Sequence, residues 1–141
     1  MSEPAAETRS VIVEREMAAS PEKLWRALTQ PHLIAEWLMD NDFELATGHK
    51  FTLRRNPTPE VSVVIACEVL KAEPNRMLSY SWSAYGLDSI VTFTLTPTVS
   101  GTLLRVEQAG FPQNQRAAYK GAKASWPMFL GELERVAADL A

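Results

Sequence analysis

The sequence predicts an α+β fold: a curved seven-stranded antiparallel sheet with its helices gathered on one side. Two observations carry that expectation. Between Asp42 and Ala109, apolar residues recur at every second position in six segments separated by short turn-forming stretches. Such short spacings join antiparallel neighbours rather than parallel crossovers. From about Gln113 the period becomes helical, and Trp126, Phe129, Leu130, Leu133, Val136, Ala137 and Leu140 form one continuous stripe.

The elements follow in order. Arg9 to Met17 places Val11, Val13 and Met17 at period two, which predicts a strand with one buried face. Ser20 then opens a helix, because its hydroxyl can accept from an orphan N–H and Pro21 has no N–H to lose, while Glu22 suits the positive helix end. Leu24, Trp25 and Leu28 form its apolar side. Pro31 repeats the device after Gln30 for a second short helix bearing Leu33, Ile34, Trp37 and Leu38. Strands are then expected at Asp42–Ala46, Lys50–Arg54, Val61–Lys71, Met77–Ser83, Ser89–Thr96 and Thr102–Ala109, divided by Gly48, Pro57-Thr58-Pro59, Pro74-Asn75, Tyr85-Gly86 and the stretch from Pro97 to Gly101. Gly110-Phe111-Pro112 reads as the break before the long final helix. Pro127 removes a donor inside that helix, predicting a kink or restart near Ser125–Pro127 and an end near Leu140.

Composition narrows the functional classes. At 141 residues with 46% hydrophobic and 22% charged, the chain is expected to form one domain over residues 9–141 behind a flexible tail over 1–8. There are 14 Lys and Arg against 17 Asp and Glu, a formal charge of −3, so there is no overall basic field to attract nucleic acid or an anionic membrane. The lone Cys67 has no partner for an internal disulfide, and Met1 to Glu7 has neither a basic nor an apolar leader region, so a cytoplasmic location is expected. No apolar run reaches the length of a spanning helix; the best, Val61 to Leu70, is broken by Ser62 and Glu68.

Catalytic and metal motifs are sparse. Cys67 falls in step with Val61, Val63, Ile65 and Val69, which places its thiol on the apolar strand face as a core residue. No G-x-S-x-G elbow occurs, and His32 and His49 stand beside no recognisable nucleophile. Asp40-Asn41-Asp42 resembles the start of a calcium loop, but Ala46 stands where further ligands are needed and Phe51 at the twelfth position, so a solvated loop is expected. Metal-ligand spacings and phosphate-binding glycine loops are absent, and no cofactor is expected. Arg105 and Glu107 read as an exposed strand face, and Arg54-Arg55 as a solvated strand end or an anchor for an anionic ligand head.

The run Ala19-Ser20-Pro21-Glu22-Lys23-Leu24-Trp25-Arg26-Ala27-Leu28-Thr29-Gln30-Pro31 resembles the A-x-P-x-x-V/L-W-x-A-L-T-x-P opening of the START-like (SRPBCC, Bet v 1-like) superfamily. Trp37, Gly48 to Phe51, Val91-Thr92-Phe93-Thr94-Leu95-Thr96-Pro97 and Gly101-Thr102 leading to Gly110-Phe111 are similar to its Activator of Hsp90 ATPase homologue 1-like branch. The resemblance implies the helix-grip fold, in which a seven-stranded sheet wraps the C-terminal helix around a hydrophobic cavity. The chain departs from the branch at Gly48-His49, where Gly-Gly is common, at Gln108, where His is common, and at Ser125-Trp126, where Gly-Trp is common. No polar cavity residue is therefore carried over from the family.

The aromatics Trp25, Trp37, Phe51, Tyr80, Trp82, Phe93, Trp126 and Phe129 read most simply as ordinary core, and only the implied cavity turns some of them into pocket walls. Within that cavity the expected ligand-binding residues are Trp37 and Met39 near the mouth, Trp82 and Phe93 as walls, Trp126 and Phe129 on the helix, and Tyr80 and Gln108 as polar contacts. The function expected is non-enzymatic binding of a small hydrophobic or amphipathic molecule. One alternative is a cyclase/aromatase-like or dehydratase-like enzyme in which Tyr80, Gln108 or His49 moves protons. The other is a chaperone-linked domain that meets Hsp90 through its outer surface; a homodimer is compatible with each.

Overall fold

Alternating burial along each strand gives the sheet one apolar face, and the computed structural model, which describes residues 7–141, places all three helices in contact with one another over it. The elements are β1 (Thr8–Met17), α1 (Pro21–Thr29), α2 (Pro31–Trp37), β2 (Asp40–Asn41), β3 (Lys50–Thr58), β4 (Val61–Glu73), β5 (Met77–Ala84), β6 (Leu87–Pro97), β7 (Thr102–Pro112) and α3 (Arg116–Ala138). The sheet order is β1-β7-β6-β5-β4-β3-β2, antiparallel throughout, so α1 and α2 carry the chain from one edge of the sheet to the other. This is the expected α+β architecture. No helix among the described residues is long and apolar enough to cross a membrane.

The capping chemistry operates as expected. The Ser20 hydroxyl accepts from the Lys23 N–H at 3.3 Å, and Pro21 occupies the first turn of α1. Leu24, Ala27 and Leu28 bury under α3, and the Trp37 indole donates to the Ala27 carbonyl at 2.8 Å, tying α2 to α1. At the far end of the sheet Gly101 turns β6 into β7. A Cβ there would overlap the Met17 carbonyl, while the neighbouring Thr102 hydroxyl donates to the Ala19 carbonyl at 2.8 Å.

Several element ends shift by one to three residues from the sequence reading, and four differences have a physical cause. β2 covers only Asp40–Asn41, not Asp42–Ala46. There the Asn41 side chain accepts from the Phe43 N–H at 3.1 Å and the Asp42 carboxylate accepts from the Thr52 N–H at 2.6 Å, so side chains take the donors a longer ladder would need. β3 continues past Arg54 through Pro57 and Thr58, because a register shift between Arg55 and Thr58 accommodates the missing proline donor. β7 continues through Gly110-Phe111-Pro112: Arg9 pairs with Phe111 and Ser10 with Ala109, so Gly110, at φ +112, is the extra residue of a bulge. Finally, α3 runs unbroken through Pro127, with no restart at Ser125–Pro127. Pro127 and Lys123 are both exposed, so the carbonyl the proline leaves unpaired is open to water.

Residues 1–6 of the expected tail lie outside the described residues, and Thr8 already pairs with Pro112.

Candidate functional site

One side of α3 faces the sheet and the two short helices, and its side chains change size along the helix. Ala118, Gly121, Ala122 and Ser125 recur at helical spacing in the first half, followed by Trp126, Leu130, Leu133 and Val136. The large residues fill the space to the sheet; the small ones do not. A cleft of about 390 Å³ remains between the first half of α3 and the sheet. Val63 and Ile65 of β4, Trp82 and Ala84 of β5, and Gln108 and Phe111 of β7 form its sheet side. Met39, Phe129, Arg55, Tyr85 and Gln115 also line it.

Its polar centre is a single chain of hydrogen bonds. The Trp126 indole donates to the Gln108 Oε1 at 2.8 Å, the Gln108 Nε2 donates to the Ser89 Oγ at 3.0 Å, and the Ser89 hydroxyl donates to the Trp82 carbonyl at 2.8 Å. An indole N–H can only donate, so it fixes which way the Gln108 amide points. Gln108 is 3% exposed and keeps one N–H beyond the two bonds it makes, in a wall that is otherwise apolar. The chain also fixes the Trp126 indole, whose ring sits 5.7 Å from that of Trp82 and 5.7 Å from that of Phe129.

Of the eight expected site residues, Met39, Trp82, Gln108, Trp126 and Phe129 come together at the cleft. Trp37, Tyr80 and Phe93 do not line it. They form an aromatic layer behind it, Tyr80 lying 5.2 Å from Phe51 and 5.9 Å from Phe93, and Trp37 meeting Phe93 edge-on at 6.1 Å. Phe93 touches Trp126 at 5.8 Å and so supports the wall from the rear. Periodicity assigns a residue to a face but not to a depth, which is why these three were grouped with Trp82. Phe111 was missed for another reason: the bulge at Gly110 shifts the alternation, so an odd-numbered residue turns inward after Gln108. Ala118, Ala122 and Ser125 carry a signal that was legible, small residues on the apolar stripe just ahead of Trp126.

The titratable groups in and near the core are poised against ionisation. Burial pushes the Cys67 thiol up to about 12, and its Sγ lies 3.8 Å from the Ile65 carbonyl. Burial likewise holds the Tyr80 phenol well above its usual value. His49 lies outside the cleft, its Nε2 3.1 Å from the Asp42 carbonyl and its ring stacked on Phe51. The hydrogen bond from the Thr52 backbone N–H keeps the exposed Asp42 carboxyl below its usual value. Among the described residues no group of three or more His, Cys, Asp or Glu is placed to hold a metal ion. Among the described residues no carboxylate, imidazole or thiol lines the cleft; its hydroxyls are those of Ser125 and Tyr85.

Residues 18–138 match the profile of the family described as Activator of Hsp90 ATPase homolog 1-like protein. Protein MLL2253 from Mesorhizobium loti is similar over 94% of this chain and 99% of its own, with 52% identity and a TM-score of 0.86. CalU16 from Micromonospora echinospora is 28% identical, covering 99% of this chain and 82% of its own, with a TM-score of 0.77. DynU16, a protein in the dynemicin biosynthetic locus, is 26% identical over 92% of this chain and 47% of its own, with a TM-score of 0.78. No curated protein matches the chain significantly. The chain belongs to the Activator of Hsp90 ATPase homolog 1-like family.

Proposed function

We propose that this member of the family binds a small hydrophobic or amphipathic molecule in the cleft between the sheet and the first half of α3, without chemically transforming it. The observation that carries the reading is the stretch of small side chains on α3 opposite Trp82, which leaves about 390 Å³ unfilled against aromatic walls. That volume falls in the range of small-molecule sites, which are mostly apolar with a few fixed polar groups. The spare N–H of Gln108 suits a carbonyl or ether oxygen on the ligand, and Arg55 at the border suits an acidic end. Among the described lining residues none can take up a proton at neutral pH, which favours binding over turnover.

Likeness to DynU16, from a biosynthetic locus, favours a second reading in which the same cleft shapes a reactive substrate and Gln108 polarises its carbonyl. Native mass spectrometry of gently purified protein, before and after incubation with fatty acids, flavonoids and polyketide-like aromatics, separates the two. A discrete added mass that is unchanged after release supports the binding reading. An altered released mass moves the assignment to catalysis, and no adduct with any compound overturns both. Ala122→Phe, which fills the cleft, should abolish the adduct while the protein remains folded.

A further inference from the structure

We propose that the opposite side of α3 carries a second site, a groove that takes a phosphate-bearing anion. Arg9 of β1 and Arg116, Lys120 and Lys123 of α3 surround a recess of about 320 Å³, with Tyr119 and Gln113 completing its lining. The helical residues fall at i, i+4 and i+7, on the side turned away from Ala118, Ala122 and Ser125. Among the described residues no carboxylate lines the recess. In a chain of net charge −3, four cations are gathered here while the ion pairs among the described residues engage Arg15, His49, Arg105 and Arg135 instead.

The arrangement is unfavourable unless something negative joins it. Like charges four apart on a helix repel, and cations in the first turns oppose the positive end of the helix dipole. The first turn of α3 holds no acidic residue, and the Gln115 side chain makes no capping bond. The Arg9 guanidinium lies 4.0 Å over the Tyr119 ring, with the Lys123 Nζ 6.0 Å from the same ring centre. The ring holds the fork in place, yet the buried Arg9 Nε has no hydrogen-bond partner among the described residues. A donor already stripped of water and held rigidly beside two ammonium groups has the features of an anion site. Four positive groups around one small recess match a phosphate dianion or diphosphate better than a single carboxylate. The phosphate belongs to a soluble compound, because the cations line a concave recess rather than a convex face and the acidic protein has no field that would draw it to an anionic membrane.

The test is a heteronuclear NMR titration of the full chain at low ionic strength with inorganic pyrophosphate. Saturable 1:1 binding is expected, with shifts centred on the Arg9 Nε and the amides of residues 116–123. Arg9→Gln should weaken it about tenfold or more, as should Lys120→Gln, with Arg9→Lys intermediate because the fork is lost but the charge kept. Lys71→Gln, an exposed cation outside the groove, should leave it unchanged. Circular dichroism checks each fold, and a Lys120→Gln, Lys123→Gln pair carries the test if Arg9→Gln does not fold. In a second arm, co-sedimentation with phosphatidylglycerol vesicles but not with phosphatidylcholine vesicles, lost in the same variants, would reassign the phosphate to a lipid headgroup. Shifts spread over all surface lysines, binding indifferent to the groove variants, or no saturation at millimolar pyrophosphate together with no vesicle binding overturns the site.

Discussion

The two halves of α3 share one backbone and one apolar stripe but differ in what they cover. From Trp126 onward the inward side chains are Trp126, Leu130, Leu133, Val136 and Ala137, all buried against the sheet and the two short helices. Before Trp126 no residue of the helix is buried, and small side chains face the cleft. The second half completes the core; the first half forms a wall around a space. A helix can be anchored by one half and leave the other incompletely packed, and natural sites tend to sit where stability has been left unclaimed in this way.

The largest expected effect lies in the packed half. Leu133 is fully buried, so Leu133→Ala should lower unfolding free energy by about 2–5 kcal/mol in urea denaturation, through lost burial and the cavity left behind. The matched change in the first half, Ala122→Phe, should move stability far less while removing ligand adducts. A loss as large as that of Leu133→Ala would mean that the cleft is already filled in solution. Next in size is the polar chain that ties α3 to the sheet at Trp126. Gln108→Leu strands the Trp126 indole N–H in apolar surroundings, while the Ser89 hydroxyl keeps its bond to the Trp82 carbonyl, and should cost about 1–3 kcal/mol by the same measurement. Gln108→His should recover part of it, because an imidazole can accept from the indole.

Alkaline pH probes the layer behind the cleft. The Cys67 thiol ionises at an ordinary value of 9.0 when unfolded but only at about 12 when folded, so the native state holds its proton longer. Stability from this group is complete below pH 9.0 and is lost as pH rises towards 12, by about 1.4 kcal/mol per pH unit, with Tyr80 acting in the same direction. Cys67→Val should flatten that decline in pH-dependent denaturation. An unchanged slope would place the thiol in contact with water.

The division between the halves also separates what was readable in the sequence from what was not. Hydrophobic period reports which face is buried, so the strands, the α1 cap at Ser20-Pro21 and the stripe from Trp126 to Ala137 could all be read. It does not report empty space. Leu78, Tyr80 and Trp82 share one face of β5, but only Trp82 reaches the cleft, because which of them meets a helix side chain depends on where the small residues of α3 stand above the sheet. Local hydrogen bonding was equally invisible to the pattern. The Asn41 and Asp42 side chains cut β2 short, and the Gly110 bulge brought Phe111 to the site, each through a single residue whose effect has no period.

The smallest effect discriminates the two halves most cleanly. Gly121 and Gly131 lie one in each half, and a Cβ added to either meets nothing within 4 Å. Alanine in a helix interior is favoured over glycine by roughly 0.5–1 kcal/mol, so Gly121→Ala and Gly131→Ala should both raise the urea midpoint by a similar amount. Their effects on binding should part. Gly121 lines the cleft and Gly131 does not, so the methyl at 121 takes up space the ligand needs, whereas the methyl at 131 leaves the cleft as it was. Gain of stability with loss of adduct at 121, against gain of stability alone at 131, ties the unfilled space to the ligand. Equal adduct formation in both variants would mean that the ligand sits elsewhere on the molecule, and that the small residues of α3 merely mark a tolerant stretch of helix.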